Sequence, residues 1–172
     1  FKQADLGTPI LVGREELIRH NAAEAGLNFD DLGIQIMNAR VSDRNAEYVD
    51  WLYARLQRRG YLRRDVQRMI NQDRNYFAAA MVARGEADCM VTGVTRSYDQ
   101  VLEEVLRVID PAPDGRVMGM SVVLAKGHTL FIADTNVTEM PEAEELVEIA
   151  MEAARTVQTL GYVPRVAFMS YS

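Results

Sequence analysis

Apolar residues in this chain fall into short unbroken runs that alternate with longer stretches of helical spacing. PILVG (9–13) and GIQIMN (33–38) are short runs bounded by turn residues, and they predict buried parallel strands. Between them, REELIRHNAAEAG places Leu17, Ile18 and Ala22 on one helical face, with Gly26 as its stop. Val49, Leu52, Tyr53 and Leu56 then recur at helical intervals, predicting an amphipathic helix that ends at Gly60 and has Ser42 and Asp43 available as caps. A shorter helix is expected over 63–70, another over NYFAAAMVAR up to Gly85, and a strand over 89–92. SYDQVLEEVLRVID carries an apolar stripe of Val101, Leu102, Val105, Leu106 and Ile109, and Ser97 with Gln100 has capping-box spacing. PAPDG ends that helix.

Beyond it the pattern changes. Two strand-like runs, 117–125 and 129–133, flank Lys126, Gly127 and His128, which predicts a β-hairpin. The clearest helix follows, with Pro141 expected in its first turn and Glu142, Glu144 and Glu145 at the positive end of its dipole. Its stripe is Leu146, Ile149, Ala150, Ala153, Val157 and Leu160, and RVAFM (165–169) predicts a last strand. Strands alternating with helices, plus one hairpin, specify an α/β fold: a layered, mostly parallel sheet with helices on both faces and one antiparallel β-hairpin. A division into two lobes is open, but composition does not mark it.

Length and charge narrow the function classes. A chain of 172 residues can hold one domain or part of a larger one, and 48% hydrophobic with 26% charged residues is a globular balance. The start at Phe1 and the stop directly after an apolar run lead us to expect a fragment. No apolar run reaches the roughly 20 residues of a membrane span, and no signal peptide opens the chain, so no membrane role and a cytoplasmic location are expected. A net charge of −6 argues against nucleic acid as a partner. One segment runs against that charge: RLQRRGYLRRDVQR packs six arginines between Arg55 and Arg68. It reads either as solvated helix faces around Gly60 or as an electrostatic patch for an anion or a second subunit.

Chemistry is expected where helices begin beyond strand ends, because free N–H groups point there. Thr92, Gly93, Thr95, Arg96 and Ser97 form one such junction: glycine admits a ligand, hydroxyls can donate, and a guanidinium can grip two oxygens. Turn and cap roles explain the same residues equally well. Asp134 and Asn136 mark a second junction, for which ordinary turn chemistry is an equal account. Arg74 and Asn75 precede a helix and offer a third polar group, although spacing does not bring them to the other two. There is no GxGxxG and no GxxxxGK[ST]. His20 and His128 lack partners at metal-ligand spacing, and Cys89 is expected to be an inert core thiol.

Three ordered blocks sharpen this picture. RNYFAAAMVARGEADCMVTGVTRSY, FIADTNVTEMPEAEELVEIAMEAA and GYVPRVAFMSYS resemble successive signatures of the phosphate acetyl/butyryltransferase family, and ILVGREELI also fits. The resemblance covers most of the chain from Arg74 onward. It implies a fold of the phosphotransacetylase and isocitrate/isopropylmalate dehydrogenase type. Within the family, free-standing phosphotransacetylases move acetyl between coenzyme A and phosphate. Large bacterial NADP-dependent malic enzymes carry a similar domain at the C-terminus. The run from Gly93 to Tyr98 resembles the malic-enzyme form. The free enzymes read closer to GAxHST, followed by an arginine-proline pair where Glu103 and Glu104 stand here. A carboxylate in place of a guanidinium serves an anionic substrate poorly, and Arg96 supplies positive charge only from another position.

The resemblance therefore implies a partial phosphotransacetylase-like domain over 1–172, truncated at both ends, with regulatory and assembly roles and no catalytic residue of its own. It implies acetyl-CoA as effector, bound through Thr92, Gly93, Thr95, Arg96, Ser97, Tyr98, Asp134, Asn136 and Arg74 as an acyl-CoA or phosphate site. A homo-oligomer is implied as well. No metal or cofactor is expected in this segment, NADP and a divalent metal being implied for the larger protein. The alternative is an authentic phosphate acetyltransferase.

Overall fold

Strand–helix alternation is realised in a computed structural model that describes residues 1–29, 33–113 and 115–169. The chain divides just ahead of Pro111 into two units, the first running from Phe1 to Ile109 and the second from Asp110 onward. The break coincides with the proline-rich PAPDG stretch, a positional signal that bulk composition hides.

In the first unit, β1 (Ile10–Val12) pairs in parallel with β2 (Gln35–Met37), Ile10 opposite Gln35 and Val12 opposite Met37. The crossover carries α1 (Glu15–Glu24), as parallel pairing requires. The core is helical. α2 (Asn45–Leu56) turns Tyr48, Val49, Leu52 and Leu56 inward, α3 (Arg63–Gln72) adds Val66 and Ile70, and α4 (Arg74–Ala83) adds Tyr76, Phe77, Ala80 and Met81. The Tyr48 and Phe77 rings meet at 5.2 Å between centroids. Burial of side chains such as Leu52, Ile70 and Phe77 stabilises by about 1.5–3 kcal/mol each. The expected α2 stripe is therefore real, except that Tyr48 holds the central place and Tyr53 packs at the edge. α5 (Tyr98–Leu106) closes the unit.

Several expectations do not hold. Residues 89–92 form no strand, because no described strand pairs with them, and Val91 is 97% exposed. Cys89 lies on this unpaired segment and is exposed, not a core thiol. RVAFM likewise forms no strand, and Val166, Phe168 and Met169 are exposed. Ser97 occupies the N-cap position of α5 without a side-chain cap bond, and Gln100 is engaged with Glu104 instead. Of the six arginines, Arg58, Arg59, Arg63, Arg64 and Arg68 are solvent-exposed, while Arg55 donates through Nε to the Arg107 carbonyl at 3.2 Å.

The second unit holds the hairpin, β3 (Met120–Ala125) antiparallel to β4 (His128–Ala133), closed by a two-residue turn at Lys126 and Gly127. α6 (Ala143–Thr159) begins after Pro141, which precedes the first turn instead of lying in it, and it buries Ile149 and Val157. Arg116 ties the strand approach to this helix, donating to Glu145 at 2.6 Å and Glu148 at 2.7 Å. Phe131 of β4 meets Tyr162 edge-on at 5.4 Å.

Candidate functional site

The site grows from the turn between α3 and α4. Asp73 is extended there (φ −118°, ψ 122°), and its carboxylate accepts the Asn75 backbone N–H at 2.8 Å, capping α4. Its other oxygen accepts Nη1 of Arg96, which reaches across from the start of α5. The same nitrogen donates to both oxygens of Glu104, at 2.8 and 2.9 Å. Glu104 also accepts the Asn75 side-chain amide at 2.7 Å and the Gln100 amide at 3.0 Å. The Thr92 hydroxyl completes the network by donating to Asn75 Oδ1 at 2.6 Å.

Burial explains why so many donors converge. Glu104 is only 6% exposed, and a buried carboxylate persists as an anion only if it is paired and hydrogen-bonded. The hydrogen bond to Asp73 raises the Arg96 pKa against the opposing effect of burial, so this guanidinium is charged at any ordinary pH. One positive charge thus faces two negative ones.

Beside the network runs a cleft of about 1060 Å³ whose lining is drawn entirely from the first unit. This is slightly above the roughly 300–1,000 Å³ usual for small-molecule sites. Leu6, Pro9, Leu11, Ala78, Met81 and Met90 make much of the wall, and Arg74, Thr92 and Thr95 supply polar groups. Arg74 is exposed and makes no ion pair among the described residues. The loop that enters α5 takes positive φ at Gly93 (133°), which glycine adopts freely, and at Val94 (68°), which is fully exposed and strained. A β-branched residue in the left-handed region costs on the order of 1–3 kcal/mol, and such strain clusters at ligand-facing loops.

The structure thus brings Arg74, Thr92, Gly93, Thr95 and Arg96 to one cleft. Ser97 and Tyr98 sit at the start of α5 outside its lining. Asp134 and Asn136 belong to the second unit. There the Asp134 carboxylate accepts N–H bonds from Gly119 (2.7 Å), Asn136 (3.1 Å), Val137 (3.2 Å) and Thr138 (2.8 Å). Burial pushes its pKa up, but these donors prevail and hold it below the usual value. Asp134 is a loop organiser, and Gly119 is its counterpart: a Cβ there would lie 2.7 Å from Thr135 Oγ1 and 3.0 Å from the Asn136 nitrogen.

Asp73 is the residue that spacing missed, although an aspartate just ahead of a helical run is a cap signal. Gln100 and Glu104, four apart on α5, were likewise readable as a pair.

The model for phosphate acetyl/butaryl transferase matches residues 1–172. The chain belongs to this family. It is 56% identical over 172 residues to an NADP-dependent malic enzyme of Rhizobium meliloti (strain 1021), a match covering 100% of this chain and 23% of that protein. It is 35% identical over 169 residues to the NADP-dependent malic enzyme of Escherichia coli (strain K12), covering 97% of this chain and 22% of that one. The chain therefore spans less than a quarter of the length of these relatives. A solved phosphotransacetylase from Streptococcus pyogenes superposes with a TM-score of 0.84 at 26% identity, over 96% of this chain and 50% of that one. The phosphotransacetylase-type α/β fold expected from the motifs is thereby established.

In this member of the phosphate acetyl/butaryl transferase family, the adjacent Glu103 and Glu104 behave differently. Glu103 is exposed and pairs with Arg107 along α5, whereas Glu104 is buried against Arg96. Among the described residues no group of three or more His, Cys, Asp or Glu is placed to hold a metal ion. No described helix is long and apolar enough to cross a membrane.

Proposed function

We propose that this chain is the acyl-CoA-binding regulatory and assembly domain of an NADP-dependent malic enzyme and performs no acyl transfer itself. The observation that carries this reading is the Asp73–Arg96–Glu104 arrangement: the loop arginine already faces two carboxylates inside the protein. Acyl transfer to phosphate needs positive charge aimed at the developing oxyanion and the phosphate. A cluster of one guanidinium and two carboxylates does not provide it.

The cleft suits a ligand with a long, partly apolar arm. Its walls of Pro9, Leu11, Met81 and Met90 fit an acyl-pantetheine chain, and Arg74 is available for the phosphates carried by the same molecule. Oxidative decarboxylation of malate, with NADP and a divalent metal, is assigned to the rest of the larger protein. Regulation then requires that acetyl-CoA bind one global state better than the other.

Two measurements on the full-length protein test the proposal. Isotope exchange between acetyl phosphate and acetyl-CoA is expected to be at background, and robust exchange identifies an authentic phosphate acetyltransferase instead. Calorimetry is expected to show saturable acetyl-CoA binding weakened by Arg74→Ala. A complete absence of binding leaves assembly as the domain's only role.

A further inference from the structure

Glu104 has the surroundings of a bound anion. Its two oxygens receive the Arg96 guanidinium twice, the Asn75 amide and the Gln100 amide, all between 2.7 and 3.0 Å. A guanidinium, side-chain amides and a hydroxyl are the donor set a small oxyanion would seek where this loop enters α5. The hydroxyl is spent as well, because Thr92 donates to Asn75 Oδ1. The carboxylate is covalently part of α5, so it competes for these donors at a high effective concentration that no dissolved ion matches.

We propose that Glu104 is a built-in counter-anion that closes the Arg96 site to free inorganic phosphate and acyl phosphate. The cleft thereby selects ligands whose negative charge lies away from the network, toward Arg74. This rests on the reading of the cleft as an acyl-CoA site. Electrostatics and geometry agree on it. A dianion entering beside Arg96 meets a cluster that already carries one excess negative charge from Asp73 and Glu104. Arg74 lies one residue beyond Asp73 and makes no ion pair among the described residues; it lines the same cleft as Asp88 and as Glu86, whose carboxylate is already engaged by Arg44 and Tyr48. A phosphate tethered to a long ligand can use Arg74, but a small free one gains little there without the donors that Glu104 occupies.

The test is inorganic phosphate binding to the full-length protein, by equilibrium dialysis against chloride at matched ionic strength. Wild type, Arg96→Gln, Glu104→Gln, Glu104→Ala and the double variant Arg96→Gln/Glu104→Gln are compared. Wild type is expected to show no saturable millimolar site. Either single Glu104 variant is expected to gain one at least tenfold tighter, and the double variant to lose it. Saturable binding by wild type that Arg96→Gln abolishes overturns the proposal, as does a folded Glu104 variant that gains nothing. If neither variant folds, competition in wild type decides: phosphate that displaces acetyl-CoA beyond the chloride control overturns the proposal, and phosphate that does not supports it. Acetyl-CoA binding measured alongside separates the two readings. A wild type that fails to bind acetyl-CoA refutes the proposed function while leaving the phosphate gain in the Glu104 variants as an independent result.

Discussion

Arg96→Ala is the most informative single perturbation of this chain. It leaves the Glu104 carboxylate, 6% exposed, with only the Asn75 and Gln100 amides as partners, and it leaves Asp73 with its helix cap alone. Two unit charges about 4 Å apart at an effective dielectric near 20 attract by about 4 kcal/mol. Two such attractions are lost, but Arg96 is also relieved of its own desolvation. Breaking a fully buried pair costs about 3–5 kcal/mol. Because the Arg96 side chain is 29% exposed, we place the net loss at about 2–4 kcal/mol. Hydrogen exchange on the full-length protein, followed in peptides from α5, reads this as about a 30- to 700-fold loss of protection. Glu104→Ala and the double variant complete a cycle. The double variant is expected to be more stable than the summed singles by more than about 1 kcal/mol, because it removes the stranded charge. A loss of protection below about threefold for Arg96→Ala, or singles that add within about 0.5 kcal/mol, would refute the coupling.

Gly119→Ala is expected to lower the stability of the second unit by about 1–3 kcal/mol, read by urea titration, because the new methyl meets Thr135 Oγ1 and the Asn136 backbone. Asp134 has a folded pKa below its ordinary 3.8, so its stabilisation is present above that value and is lost as pH falls through the lower folded one. The stability difference between wild type and Asp134→Asn, about 1–3 kcal/mol at neutral pH, should therefore shrink only below about pH 4 in acid unfolding curves. Arg74→Ala is expected to weaken acetyl-CoA binding about tenfold without lowering the melting temperature, since Arg74 is exposed and unpaired among the described residues. Peptide-mapped alkylation should modify Cys89 in the native protein without prior unfolding, because the residue is exposed, and protection of Cys89 would place it under a partner surface.

Sequence periodicity revealed most of the helices because their inward faces are decided locally. Val49, Leu52 and Leu56 recur at helical spacing and are buried, and the hairpin register follows from a two-residue turn between apolar runs. The failures have one physical cause. CMVT and RVAFM read as strands, yet a strand exists only where a neighbouring strand accepts its hydrogen bonds, and the described residues offer none. Pattern reports the apolar character of such runs and is silent about their partners. The candidate site was legible as a loop, through Thr92, Gly93 and Arg96. Its charge balance was not, because Asp73 and Glu104 lie 23 and 8 residues from Arg96 and meet it only in the fold.

That balance constrains what either residue can become on its own. A glutamate at position 104 without Arg96 would bury an unpaired carboxylate, a penalty of several kcal/mol comparable to a large part of a domain's net stability. Arg96 without Glu104 would leave a guanidinium facing the cleft beside Asp73 alone, close to neutral as a pair and with donors open to any small oxyanion. The two residues are therefore a single unit physically. Asn75 locks them together, since its amide nitrogen binds Glu104 while its oxygen holds the Thr92 hydroxyl. A change at either position alone should therefore lower stability, whatever it does to the ligands the cleft accepts.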